Sequence, residues 1–115
     1  MIEVNDERFD EMVDDALDKI PDEFARHMGN LVILVRDFNE ENPSILGLYE
    51  GVALTARTFD HTGFLPDTIS IYKGALERFC TTEEELAREV EVTVFHEVGH
   101  YFGMEEDDLH RLGWG

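Results

Sequence analysis

The stretch that decides the fold is His96-Glu97-Val98-Gly99-His100-Tyr101-Phe102-Gly103. On an α-helix, side chains four residues apart share a face, with Cβ atoms about 5–6 Å apart. Two imidazoles at that separation can share one zinc ion, each binding at about 2.0–2.1 Å. Glu97 follows the first histidine and lies a turn from the second, better placed to reach a water beside the metal than to ligate it. Two metal ligands and a general base therefore come from one and a half turns of helix, which is the recipe for zinc-assisted hydrolysis. The competing structural account makes His96 and His100 two helix histidines with ordinary hydrogen bonds.

The flanks describe a well-signalled helix over residues 82–102. Thr81 and Thr82 offer N-cap hydroxyls, with Glu84 and Glu85 each three residues on as capping-box partners. The acidic run 83–85 falls in the first turn, where the helix dipole favours negative charge. Leu86, Val90, Thr93, Glu97 and His100 follow one helical stripe, and Gly99 is the one glycine between residues 86 and 102. Gly103 is suited to the left-handed residue that ends a helix and turns the chain back.

Composition sets bounds on the rest. The chain has 115 residues, enough for one domain (1–115) with a modest core. Its hydrophobic share of 43% is that of an ordinary globular protein. A net charge of −18, from 27 acids against 9 bases, disfavours nucleic acid and anionic membrane surfaces. The same charge favours basic partners, or serves only as a solvated, salt-tolerant surface. Cys80 is the single cysteine, so no intramolecular disulfide can form, and a small buried residue is expected there rather than a nucleophile. The opening residues are acidic where a secretory signal is basic and then apolar, and the longest apolar run, 31–35, is far short of a membrane span. A cytoplasmic location is the expectation.

Along the chain, residues 5–20 predict an amphipathic helix with Asn5 as cap. Pro21 ends it, and a second short helix is expected over 22–28, closed by Gly29. The aliphatic run 31–35 suits a strand buried on both faces. Residues 45–55 read as a strand interrupted by Gly47 and Gly51, which suggest a bulge or a place where another backbone approaches closely. A loop follows at 61–66. Ile69 and Ile71 alternate with Ser70 and Tyr72 as in a half-buried strand, which Gly74 closes. After the 82–102 helix comes a short acidic one near 106–112. His27 and His61, among turn signals, are expected to be surface residues rather than ligands.

HEVGHYFG at 96–103 followed by MEEDDLHRLGWG resembles the mini-zincin family, small bacterial relatives of the Asp-zincins with the motif His-Glu-x-x-His-x-x-Gly-x-x-Asp. LGLYEG, LPDTISIYKG and the closing LHRLGW extend the resemblance over essentially the whole chain. It implies an α+β fold: a single zincin-like domain with a small mixed three- to four-stranded sheet packed against helices, and 82–102 as active-site helix. It also implies a zinc metallopeptidase whose sheet edge lines the cleft and can pair with an extended peptide, here at residues 45–55.

The departure lies at the third ligand, where Glu106 stands in place of the usual Asp. Glu is one methylene longer and can still reach zinc after a small backbone shift. Asp107 and His110 are alternative ligands, and His110 could instead orient Glu106. The expected mechanism uses one Zn²⁺ on His96, His100 and a third ligand, with Glu97 as general base toward peptide or protein substrates, basic ones favoured by charge. Tyr49, Tyr72 and Tyr101 are candidate oxyanion donors, Tyr101 more naturally a core residue. Trp114 is a candidate floor beneath the metal. Two other readings compete: a non-catalytic protein-binding module on a degenerate zincin scaffold, and a metal-dependent endoribonuclease. Glu97 and the −18 charge argue against the latter.

Overall fold

The computed structural model describes residues 1–51 and 66–114. Within them the order is α1 (Asp6–Asp18), α2 (Asp22–Ala25), β1 (Leu31–Arg36), β2 (Gly47–Glu50), β3 (Asp67–Tyr72), α3 (Lys73–Phe79), α4 (Glu83–Tyr101) and α5 (Glu106–Leu112). This is the expected α+β arrangement of helices around a small mixed sheet. Among the described residues the sheet has three strands in the order β1-β3-β2. β1 runs parallel to β3, and β2 antiparallel to it. The expected strand over 45–55 is β2 as far as Glu50; residues 52–55 and His61 lie outside the described residues.

The helices begin and end where side-chain chemistry satisfies their backbone. Asn5 caps α1 by accepting the Arg8 N–H at 2.8 Å, and Thr82 caps α4 by accepting the Glu85 N–H at 3.1 Å. Phe9, Met12, Val13 and Ala16 form the buried face of α1. They pack against α4, whose Leu86, Val90, Val94 and Val98 are fully buried. The two helices run side by side in one direction, joined at the rim by Arg8–Glu83 and Lys19–Glu91, each at 2.7 Å. Exposed pairs of this kind contribute only about 0–1 kcal/mol, so the apolar seam holds the pair together.

Three sequence expectations need correction. The run 31–35 does not form a strand buried on both faces: β1 is an edge strand with Val32 and Val35 exposed. The central, buried strand is β3, whose alternating pattern suggested half burial. Its Ile69 and Ile71 enter the helix-facing core, while Ser70 and Tyr72 are buried on the other face. There the loop after β1 covers them, with Asn39 Nδ2 donating to the Tyr72 hydroxyl at 2.9 Å. The loop thus supplies the buried Tyr72 hydroxyl with a partner.

Second, α2 stops at Ala25 rather than continuing to Met28, and residues 26–28 complete it as a turn. Third, Gly74 does not close β3 into a loop. It is the second residue of α3, a helix absent from the sequence reading. A Cβ there would lie 2.5 Å from Phe38 Cζ and 2.8 Å from the Asp37 carbonyl oxygen, so glycine allows α3 to start against the loop after β1.

Candidate metal centre

α4 carries two functional faces. Its buried face presents Thr93, Glu97 and Tyr101, each four residues apart, beneath β2. The neighbouring face presents His96 and His100, whose side chains retain 27% and 34% of their exposure. The histidines are open to a solvent-borne ligand; the carboxylate between them in sequence is shut against the sheet.

The two imidazoles converge, with Nε2 to Nε2 at 3.0 Å. Helix α4 ends one residue after Tyr101 in a Schellman turn. Gly103 adopts φ 80°, its N–H donates to the His100 carbonyl, and the Met104 N–H donates to the Gly99 carbonyl. The reversal sends α5 back across α4. Gly99 permits the crossing: a Cβ there would lie 2.1 Å from Cδ2 of the fully buried Leu109.

Glu106, in the first turn of α5, thereby reaches the histidines. Its Oε1 stands 3.4 Å from His96 Nε2 and 3.6 Å from His100 Nε2. Together these are the His/His/carboxylate group found among the described residues. Asp107 and His110, the alternative third ligands, are not in that group; both line an open surface with Glu105, Asp108 and Arg111.

The triangle fits a tetrahedral ion. Ligand bonds of about 2.0–2.1 Å give tetrahedral edges of about 3.3 Å, and the three observed edges, 3.0, 3.4 and 3.6 Å, bracket that value. Two imidazoles and one carboxylate are also the ligand chemistry of catalytic rather than structural zinc sites, with room for a fourth ligand. Glu106 is 60% exposed, so that fourth position faces solvent.

Glu97 is 8% exposed. Burial pushes its carboxyl above the usual carboxylate range, against the opposing pull of His96, His100 and a hydrogen bond from the Tyr49 backbone N–H, while Glu106 raises it further. That environment favours a carboxylate able to accept and return a proton.

The phenols are committed elsewhere. The Tyr101 hydroxyl donates to the His27 carbonyl at 3.0 Å, and the Tyr49 hydroxyl donates to Asp67 Oδ2 at 2.7 Å. His27 itself is exposed and is not in the ligand group. Trp114 is no floor directly under the triangle: it is buried in an aromatic cluster with Phe24 and Phe95, at centroid distances of 5.4 and 5.2 Å. The cluster does back the helix at the residue preceding His96. Sequence reasoning missed the part played by Thr93, Gly47 and Tyr49 around Glu97; the two glycines in the strand-like run 45–55 were the one available signal.

Comparison with known proteins follows the same line. A family model described as zincin-like metallopeptidase matches residues 28–114. No curated protein matches the chain. Among solved structures, a conserved hypothetical protein from Thermus thermophilus is similar, with a TM-score of 0.60 and 21% identity over 86% of this chain and 94% of that one. At that identity the likeness concerns the fold.

Proposed function

Since the chain belongs to the zincin-like metallopeptidase family, we propose that it is a zinc-dependent peptidase with His96, His100 and Glu106 as metal ligands and Glu97 as general base. The observation that carries this reading is the triangle of Nε2, Nε2 and Oε1 atoms, with edges of 3.0, 3.4 and 3.6 Å.

Zinc, when bound, supplies Lewis acidity, lowering the pKa of a water toward about 7 and polarising the scissile carbonyl. The chain supplies the remainder. Glu97 would act as general base, its carboxylate taking a proton from the attacking water and returning it to the leaving nitrogen, which needs only hydrogen-bond reach in the substrate complex. Among the described residues β2 is the outer strand of the sheet and packs against the helix that carries the histidines, which supports an extended peptide as the substrate form. We further propose that basic peptides are preferred, supported by the net charge of −18.

The test replaces Glu97 with Gln in protein loaded with one equivalent of zinc. Hydrolysis of fluorescein-labelled casein should be lost while zinc stoichiometry, read by elemental analysis, is unchanged. Equal hydrolysis by the variant would remove Glu97 from the mechanism. Tight zinc binding without any hydrolysis by the native protein would favour a binding module on this scaffold.

A further inference from the structure

Strand β1 ends the sheet with backbone groups left for another strand to use. On β3 the Tyr72 N–H donates to the Leu46 carbonyl, on the β2 side. Backbone groups along a strand point alternately to its two neighbours, so Ser70 also faces β2 while Ile69 and Ile71 face β1. In a parallel pair such a residue bonds to the two that flank its partner. Ile69 and Ile71, opposite Ile33 and Val35, therefore engage Val32, Leu34 and Arg36. Ile33 and Val35 turn their own N–H and C=O groups outward. Leu31 points the same way, but its N–H is used locally, donating to the Met28 carbonyl at 3.2 Å. Among the described residues nothing meets the outward groups of Ile33 and Val35.

Edge strands are ordinarily guarded by a lysine, a proline, a bulge or a covering segment. β1 has no such guard among the described residues. Positions 31–35 are all aliphatic, the register with β3 is unbroken from Leu31 to Arg36, and Val32 and Val35 are 39% and 40% exposed. A strand of this kind is complementary to itself. Turned antiparallel about a two-fold axis at Ile33 or Leu34, the outward N–H groups of one copy meet the outward C=O groups of the other. Within 31–35 only aliphatic side chains then stand opposite one another.

The net charge of −18 opposes such a union, but its range decides how strongly. At 0.1 M salt the Debye length is about 10 Å, against 25 Å for the smallest extent of the molecule. Charges beside the edge therefore govern. There Asp6, Asp10 and Asp37 share a cleft with Arg36 and Lys73 at the end of β1, a nearly balanced group. A basic foreign strand finds little excess of carboxylate at this edge, whereas a second copy finds its own aliphatic strand.

We propose that β1 is a self-association edge, along which two copies join antiparallel and merge their sheets. α4 packs against β2 and β3, so the joined edge lies away from the metal centre and association does not depend on peptidase activity. One strand from each copy makes an interface below the roughly 1,200 Å² of standard size, so the dimer is weak.

Sedimentation velocity at about 1 mM protein should show dimer in 500 mM NaCl and mostly monomer in 20 mM, the reverse of an association with a basic partner. Under the dimer conditions, amide exchange at Ile33 and Val35 should slow about tenfold relative to dilute protein, while Val32 and Leu34 are protected in both. Val35→Pro removes an outward N–H and no bond within the sheet, a position where an edge strand tolerates proline. It should keep the native circular dichroism and remain monomeric. Val35→Lys, which sets a charge at the same exposed position, should do likewise. Self-association through β1 is refuted if the native protein stays monomeric at about 1 mM in 500 mM NaCl. It is equally refuted if a dimer forms with Ile33 and Val35 exchanging as fast as in dilute protein, or if folded Val35→Lys associates like the native chain.

Discussion

At the scale of single residues, the proposed centre rests on Glu106, a carboxylate one methylene longer than Asp. Glu106 sits in the exposed first turn of α5, and its length closes the triangle to 3.4 and 3.6 Å from the imidazoles. Glu106→Ala should therefore weaken zinc binding by more than about a hundredfold, beyond the 10–100-fold typical of losing an outer partner, while His110→Ala changes it less than about twofold. Competition against a chromophoric chelator gives both numbers; a larger effect at His110 would transfer the ligand role to it. Cys80 offers a second test at this scale. Burial, then repulsion from Glu85 and Glu89, pushes its thiol up to about 11. The folded state thus keeps its proton where the unfolded chain, with a thiol pKa of about 8.5, loses it. This group stabilises nothing at high pH: its linkage lowers stability as pH rises from about 8.5 toward 11. At pH 8 a disulfide reagent such as DTNB should label Cys80 only at the rate of unfolding, and rapid labelling of native protein would contradict its burial. The convergence of His96 and His100 could be read from the chain because a four-residue spacing is local and one helix enforces it. Glu106 was readable only as one of three candidates, since its placement depends on how far the turn at Gly103 swings.

Elements are where local signals mislead. The aliphatic run of β1 and the alternating run of β3 exchanged places, because whether a strand is central depends on what pairs with it far along the chain. α3 went unseen for a local reason: it has seven residues, no side-chain cap and a glycine in its first turn, so neither periodicity nor capping could declare it. Gly99 shows the reverse case, an oddity in the sequence that a contact between elements explains. In isolation, Gly99→Ala should favour α4 by about 0.8–1.0 kcal/mol. Inserting a methyl against the buried Leu109, however, costs about 1–3 kcal/mol through overpacking. Overpacking wins, and it acts on the element that carries Glu106. Gly99→Ala should thus lower zinc affinity about tenfold, comparable to losing an outer partner. A titration matching native affinity would mean that α5 finds its place without this close approach.

For the whole molecule the dominant quantity is the net charge of −18 on 115 residues. Like charges at that density repel across distances comparable to the Debye length, about 10 Å at 0.1 M salt and about 3 Å at 1 M. Self-repulsion opposes the compact state, so screening should stabilise it: the thermal midpoint should rise between 20 mM and 500 mM NaCl. If basic peptides are the substrates, as proposed, the same field would draw them toward the centre, and screening should weaken that attraction. Hydrolysis of a Lys- and Arg-flanked peptide should therefore lose several-fold in kcat/KM over this range, while an uncharged analogue holds within about twofold. The two responses have opposite signs, which separates them from any general effect of salt on the fold. Calorimetry and a pair of quenched fluorescent peptides measure them on one preparation. If stability rises while both peptides respond alike, the acidic surface acts on the fold alone, and selectivity for basic peptides must come from contacts at the cleft.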